Sequence, residues 1–413
     1  MKILLCKGRF AGPISGADET VVTYATQLHA AGHDVSVVLL HPYSRTDSYY
    51  LRLRAAGVPV SFVVHNSPLH SFLRAVRSRI PHIPTGPRRV LHKTSYALAK
   101  SYFEPCKAYF AQCGAALIHV MTPDPGAITM IKAAHATGIP VLYQELGTAH
   151  YLPELEFYYQ QLAQVLPLCT EVAALSPLLA RQFREKFPSP ARTSVIPLIV
   201  DDTASDGASR AEAPPQARAA VVFGFAARLE YGKGPLLLID AFARTHARLP
   251  HTHLKMAGAG PQEQQAKERG KASGLVKSCE FCGIYTGASQ QSAFMRSLDV
   301  FVLPTLAEGT PNSIIEAMAH GLPIVSSAVG GIPDVVTPDT GILTAPGDVD
   351  ALDDALTCLA QNPELRARMG HAARARYEKL FSPGAALPVL LQAYQRVASG
   401  AATDAQAVCP KDW

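Results

Sequence analysis

The sequence predicts an α/β protein made of two doubly wound domains, each with a parallel sheet. Three observations carry that expectation. Short runs rich in Val, Ile and Leu recur along the chain, and runs that are apolar on both faces belong to parallel strands covered by helices. Segments with helical spacing alternate with them. Periodicity fails once, over 201–218, where Asp201-Asp202-Thr203-Ala204-Ser205-Asp206-Gly207 leads through Ala, Ser, Asp and Pro to Ala217-Arg218, the composition of an interdomain linker. A chain of 413 residues also has room for two domains of ordinary size.

In the first half, residues 2–6 form a short apolar strand. The Gly-rich turn Gly12-Pro13-Ile14-Ser15-Gly16-Ala17 follows. Residues 18–31 then carry helical spacing, with Val21, Val22, Ala25, Leu28 and His29 on one side and Gly32 as a stop. Further strands are expected over 34–40, 58–64 and 116–121, from 140 to 143, and over 171–176 and 193–196.

The alternation restarts after the linker. Strands are expected at 220–227, 253–257, 278–281, 300–303, 322–326 and 341–343. Helices are expected at 235–249, 261–273, 289–298, 350–361 and 363–380. A last helix over 385–397 follows Pro383, and 401–413 reads as a frayed tail.

Composition narrows the class. The apolar fraction is 48% and charged residues make up 17%, which describes a well-cored globular protein and excludes a disordered one. No run of about 18 apolar residues occurs, so no membrane-spanning helix is expected. Met1-Lys2-Ile3-Leu4-Leu5-Cys6-Lys7 is too short in its apolar part for a signal peptide and reads as a first strand, which makes a cytoplasmic location the expectation. Cys279 and Cys282 have the spacing of half a zinc site, but nothing completes it, so no metal is expected. The net charge of +5 is uneven: nineteen Lys and Arg face eleven Asp and Glu up to Leu198. Residues 70–107 hold Arg74, Arg77, Arg79, Arg88, Arg89, Lys93, Lys100 and Lys107 against Glu104, interleaved with apolar side chains. Either this is a solvated helical face, or it meets an anionic membrane or an acidic acceptor at the inner membrane face.

Two carboxylates eight residues apart give the first chemical pointer. Glu308 lies in the loop beyond the strand at 300–303, and Glu316 lies about one turn inside a helix beginning near Asn312 or Ser313. In an open α/β sheet ligands bind at that end of the strands, where helix N-terminal amides meet phosphate. A carboxylate suits hydroxyls because it accepts several hydrogen bonds. Together they suggest a ligand that is polyhydroxylated and phosphorylated. Arg228 and Lys233 flank Gly232 and Gly234 at the end of the strand over 220–227, with Pro235 opening a helix. Two cations there fit a diphosphate, and an ordinary turn with solvated charges is the plain alternative. Gly258-Ala259-Gly260-Pro261 is another strand-to-helix turn, either structural or open to close approach of a ligand. At Gly283-Ile284-Tyr285, backbone groups could read a nucleobase while Ile284 or Tyr285 covers its face.

These residues resemble a family. The second half is similar to the donor domain of the retaining glycosyltransferases of glycosyltransferase family 4, group 1 type, with the GT-B fold. The resemblance rests on Arg228-Leu229 with Lys233-Gly234, Gly258-x-Gly260-Pro261, Glu308-Gly309-Thr310-Pro311-Asn312 with Glu316-Ala317-Met318-Ala319, Gly321-x-Pro323-Ile324-Val325, Gly330-Gly331-Ile332-Pro333-Asp334 and Gly341-x-Leu343. It implies that Arg228 and Lys233 bind the donor's diphosphate, that Glu316 holds ribose hydroxyls, and that Glu308 faces the transferred sugar. The main chain of Gly309, Thr310, Pro311 and Asn312, with its amides at all but the proline, would line sugar or phosphate, and no metal cofactor would be needed. In the first half, Pro13-x-x-Gly16 and Gly32-His33-Asp34-Val35-x-Val37 resemble the family's start, which would set Gly16 against the donor phosphates. One departure stands out. Members often carry a histidine near the segment Tyr143-Gln144-Glu145-Leu146-Gly147, where Leu146 stands here. Glu145, His119 and His150 are substitute candidates on the acceptor side.

The expected domains are therefore 1–200 on the acceptor side, a linker at 201–218 and a donor domain at 219–381, with a helix at 382–400 packing back on the first domain. The expected activity is transfer of a hexosyl unit from a UDP- or GDP-sugar to a hydroxyl acceptor, in polysaccharide, glycolipid or glycoconjugate synthesis, and the resemblance implies retention at the anomeric carbon. The nucleotide sugar is co-substrate, the acceptor is lipid-linked or anionic, and no nucleic acid is involved. A nucleotide-sugar 2-epimerase of the same architecture and a non-catalytic nucleotide-sugar-binding protein are the alternatives.

Overall fold

The computed structural model describes residues 1–10, 15–42, 44–64, 94, 97–121, 124–147, 156–188, 191–203 and 220–400. Part of the Gly-rich turn, most of the basic stretch at 70–107, the linker beyond Thr203, His150 and the tail at 401–413 lie outside these residues.

The chain divides into two compact units. Of the described residues, the first holds those of Met1–Ile199 together with the last helix from Leu387 onward, and the second holds those of Val200–Ala386. The first unit is built on a seven-stranded sheet of β1 (Lys2–Lys7), β2 (Asp34–Leu39), β3 (Val60–Phe62), β4 (Leu117–Met121), β5 (Val141–Gln144), β6 (Glu171–Ala174) and β7 (Arg192–Val195). Their order is β3-β2-β1-β4-β5-β6-β7 and every pairing is parallel. The second unit holds β8 (Val221–Ala226), β9 (Thr252–Ala257), β10 (Cys279–Gly283), β11 (Val300–Leu303), β12 (Ile324–Ser327) and β13 (Gly341–Thr344). Their order is β10-β9-β8-β11-β12-β13, again all parallel. Each sheet thus reverses direction once, between β1 and β4 and between β8 and β11. That is the doubly wound topology, with its ligand crevice outside the carboxyl ends at the reversal. The α/β class read from the apolar runs is the class observed.

Burial explains the strand composition. β4, β5, β6, β11 and β12 are buried at every residue, as central parallel strands covered on both faces must be. β10 lies at an edge and is mostly exposed, so its charged Glu280 is tolerated. Helices begin where short polar side chains accept from backbone amides: Ser15, Asp47, Asp124, Ser176 and Asp348 each cap one. An aromatic chain, Tyr143–Phe183–Phe187–Tyr159, fills one side of the first core with centroid spacings of 6.3, 4.9 and 5.8 Å.

The helix Pro383–Ser399 returns to the first unit from Leu387 onward. Its Tyr394 and Val397 are fully buried, and Arg396 forks onto Glu171 at 2.8 and 3.2 Å. In the second unit the entering segment is fixed by its own contacts: the Val200 amide donates to Phe381 O at 3.0 Å, and the Tyr377 hydroxyl donates to Val200 O at 2.8 Å. Among the described residues no helix is long and apolar enough to cross a membrane.

Candidate functional site

The chemistry-bearing residues of the second unit gather at the β8/β11 reversal. Beyond β8 the chain runs through Arg228 into a single 3₁₀ turn, Tyr231–Lys233, and then through Gly234 into the helix Pro235–Arg248. Gly234 adopts φ 68°, and a Cβ there would lie 2.1 Å from Pro304 O at the end of β11. Only glycine lets the two loops come this close. They are then stitched together. The Gly232 carbonyl accepts from Thr305 Oγ1 at 2.7 Å and from the Leu306 amide at 2.8 Å. Lys233 Nζ is ion-paired with Glu308 Oε1, which also lies 3.4 Å from Thr305 Oγ1. Lys233 and Glu308 keep 19% and 11% of their side-chain exposure, so water still reaches the pair. Arg228 is 52% exposed and leans on Glu230 at 2.9 Å.

The β11 loop continues into the helix Asn312–Ala319, whose N-cap is Pro311 and which has no side-chain cap. Helix N-terminal amides without a capping side chain carry partial positive charge and can meet an anion. The Gly309 carbonyl accepts from the Gly331 amide at 2.8 Å, tying this loop to the one after β12. Thr310 is 7% exposed and its hydroxyl has no hydrogen-bond partner among the described residues. Glu316 lies half-buried one turn into the helix. The geometry therefore brings Arg228, Lys233 and Glu308 to neighbouring strand ends, with Gly309 to Asn312 and Glu316 following on one loop and helix.

Other sequence-derived candidates are placed differently. Gly258, at φ 137°, would set a Cβ 1.9 Å from Ala227 O, and its amide donates to Gly283 O at 2.7 Å. This glycine is explained by packing of the β9 loop on the β8 loop, and its amide is already spent. Gly283 ends β10, two strands from β8, and Ile284 and Tyr285 follow it; Ile284 is 46% exposed, and Tyr285 stacks at a tilt on Phe294 with centroids 5.9 Å apart.

In the first unit, Gly16 opens the helix Gly16–Ala30 and is exposed. His119 corrects the acceptor-side expectation. It sits mid-strand in β4 with no exposure, its Nδ1 2.8 Å from the Tyr394 hydroxyl and its ring between Tyr24 and Tyr394. Burial pushes its pKa down to about 3, so it is a neutral core residue. Glu145 follows β5 and is 2% exposed. It accepts from the Tyr143 hydroxyl at 2.8 Å and from the Gly147 amide at 3.0 Å, and burial raises its pKa to about 6 against those hydrogen bonds. Its oxygens are thus engaged inside the unit.

Sequence reasoning missed a cluster at the first unit's own reversal. Lys7, the last residue of β1, makes a buried ion pair with Asp18 in the first turn of the following helix. Asp124 caps the helix Pro125–Ala136, accepting from the Ala127 amide at 2.9 Å, and also accepts from the Gly8 amide at 3.1 Å. The available signals were a lysine closing an apolar run directly before a glycine, and Asp124-Pro125-Gly126 as a helix start.

Two doubly wound domains, alike in the order of six strands with a seventh added in the first, define a GT-B protein, and the second carries a cation–carboxylate cluster at its reversal. Residues 14–204 match Glycosyltransferase Family 4 and residues 212–376 match Glycosyl transferases group 1. Each match covers less than half of the chain; together they cover most of it and support a group 1 glycosyltransferase. It is 35% identical over 136 residues to sulfoquinovosyl transferase SQD2 of Arabidopsis thaliana, covering 32% of this chain and 26% of that protein. It is 32% identical over 169 residues to a phosphatidyl-myo-inositol mannosyltransferase of Mycobacterium leprae, covering 40% and 44%. The chain therefore spans less than half the length of these curated relatives. The structure of the Anabaena protein HepE in complex with UDP and glucose superposes with a TM-score of 0.68 at 19% identity, over 96% of this chain and 99% of that one, a likeness of fold.

Proposed function

We propose that the protein transfers a glycosyl unit, with retention, from a UDP- or GDP-sugar to a hydroxyl acceptor in polysaccharide, glycolipid or glycoconjugate synthesis. The observation that carries this reading is the cluster at the β8/β11 reversal: Arg228 and the Lys233–Glu308 pair beside a helix start with no side-chain cap. Arg228, half-exposed and paired with neighbouring Glu230, can turn its planar fork onto a diphosphate. Lys233 adds a point charge against the negative charge that grows on the departing nucleotide. Glu308 accepts from hydroxyls of the transferred sugar, and Glu316 from those of the ribose.

The bond between the anomeric carbon and the nucleotide's distal phosphate oxygen breaks with its electron pair going to the nucleotide. The acceptor oxygen then bonds from the same face and gives its proton to that phosphate oxygen. The products are the glycoside and the nucleoside diphosphate. No metal cofactor is invoked. The relatives' names, sulfoquinovosyl transferase and phosphatidyl-myo-inositol mannosyltransferase, support sugar transfer and are consistent with a lipid-linked or anionic acceptor. We place the protein in the cytoplasm, touching the membrane's inner face through the basic stretch at 70–107. Binding to anionic liposomes is expected to weaken as salt rises, and indifference to lipid charge would remove the membrane assignment.

A panel of UDP- and GDP-sugars, assayed for donor consumption with and without acceptor sugars and for thermal stabilisation, tests the reading. Acceptor-dependent consumption of one donor, largely abolished in Arg228→Ala, is the expected outcome. Epimerisation of the donor without any acceptor would point to a 2-epimerase. Stabilisation with no turnover would leave a binding protein.

A further inference from the structure

His320 is a buried titratable side chain for which the proposed reaction has no use. It follows the last turn of the helix Asn312–Ala319 and is 4% exposed. Its Nδ1 lies 2.8 Å from the backbone carbonyl of Glu316, the carboxylate assigned to the ribose. Its Nε2 lies 3.2 Å from Ser292 Oγ, and Ser292, itself 2% exposed, reaches the carbonyl of Thr203 at 2.8 Å. A second tie runs parallel to the first. Arg374 forks onto Asp202 at 2.7 and 3.0 Å and also donates to the carbonyl of Ala319. Both ties join the C-terminal end of the helix that bears Glu316 to Asp202–Thr203, the residues by which the chain enters the second unit.

Counting protons shows that the first tie has two settings. The Glu316 carbonyl can only accept, so Nδ1 must carry hydrogen. The Thr203 carbonyl can only accept, so the Ser292 hydroxyl must supply hydrogen to it. The remaining Ser292–His320 contact then needs a second hydrogen on the imidazole. Burial and the nearby Arg296 and Arg374 favour the neutral ring, against the attraction of Asp202 and the bond to Glu316 O. A neutral ring has one proton too few for the three contacts. The Ser292 hydroxyl must therefore bond either His320 or Thr203, and a small displacement at either end decides which.

We propose that His320 and Ser292 are positioning residues that couple occupancy of the donor site to the conformation of the entering segment 200–203. This rests on the reading of the Glu316 helix as donor-binding. A nucleotide held by that helix fixes the Glu316 turn and with it the His320 ring, which sets the Ser292 hydroxyl and so the hold on Thr203. Such a switchable link is the kind of element through which two places on one domain can bias each other.

Hydrogen exchange of the full chain with and without saturating UDP or GDP tests this, using wild type, His320→Ala and Ser292→Ala. Ser292→Ala leaves the His320 contact with Glu316 in place and cuts only the link to Thr203. In wild type the nucleotide is expected to slow exchange at 312–319 and also at 200–203. In both variants protection at 312–319 should persist while the nucleotide-induced slowing at 200–203 falls by half or more. Full slowing at 200–203 in Ser292→Ala, or none there in wild type despite protection at 312–319, would overturn the coupling. If neither nucleotide stabilises wild type against heat or protects 312–319, the donor reading itself fails and the coupling falls with it.

Discussion

The two sheets share the order of six strands, yet their reversals are furnished in opposite ways. In the first unit Lys7 and Asp18 keep 6% and 0% of their side-chain exposure, and Asp124 is engaged by the Gly8 and Ala127 amides. Its charges are consumed internally, as elements that fix where β1 and two helices meet. In the second unit Lys233 and Glu308 remain in reach of water, and Arg228 is half-exposed. Topology supplies the crevice in both. What separates an internal brace from a candidate binding site is how far the charges are left open to something arriving from solution.

Removing one partner of each pair sharpens that contrast. Lys7→Met is expected to show the largest effect, a loss of roughly 3–5 kcal/mol in denaturant unfolding, because the buried Asp18 carboxylate loses its compensating charge. Next comes Arg228→Ala, expected to lower turnover about 10²–10³-fold while stability stays within about 0.5 kcal/mol. A stability loss in Arg228→Ala as large as that in Lys7→Met would erase the distinction. Gly234→Ala is expected to cost about 1–3 kcal/mol, since both the positive φ and the approach to Pro304 resist a Cβ, and to weaken nucleotide-induced stabilisation by parting the two loops.

The smallest effect is a dependence on pH. Glu145 has a folded pKa near 6 against 4.5 for the unfolded group, so the fold favours its protonated form. Its contribution is full below about pH 4.5 and is lost as pH rises through 6, amounting to at most about 2 kcal/mol. Glu145→Gln should remove that part of the slope when unfolding is followed between pH 4.5 and 7. An unchanged slope would mean that another group sets it.

Much of the fold was legible because each strand announces itself locally. The strand at 300–303 and the helix at 363–380 fall where the apolar pattern sets them, and most other strand ends move by one or two residues. The strand expected over 58–64 shrinks to Val60–Phe62, since it pairs only at the sheet edge. The helix expected from Pro261 starts at Glu263, because the Gln262 amide is drawn to Leu229 O. The candidate site was legible by residue type but not by partnership. Nothing local links Lys233 to Glu308 across 75 residues, or the Gly8 amide to Asp124 across 116. His119 looked available because sequence gives a histidine's chemistry without its depth, and depth here is set by Tyr394, 275 residues further on.

That distance has a consequence for how the protein is made. The first unit takes its last pieces from residues beyond Leu387. When β7 has left the ribosome, Glu171 still lacks Arg396 and His119 still lacks the Tyr394 hydroxyl. At about 5–20 residues per second the first sheet waits roughly ten to forty seconds for them. The first unit to be synthesised is therefore not the first that can be finished, and the second can close its own sheet ahead of it.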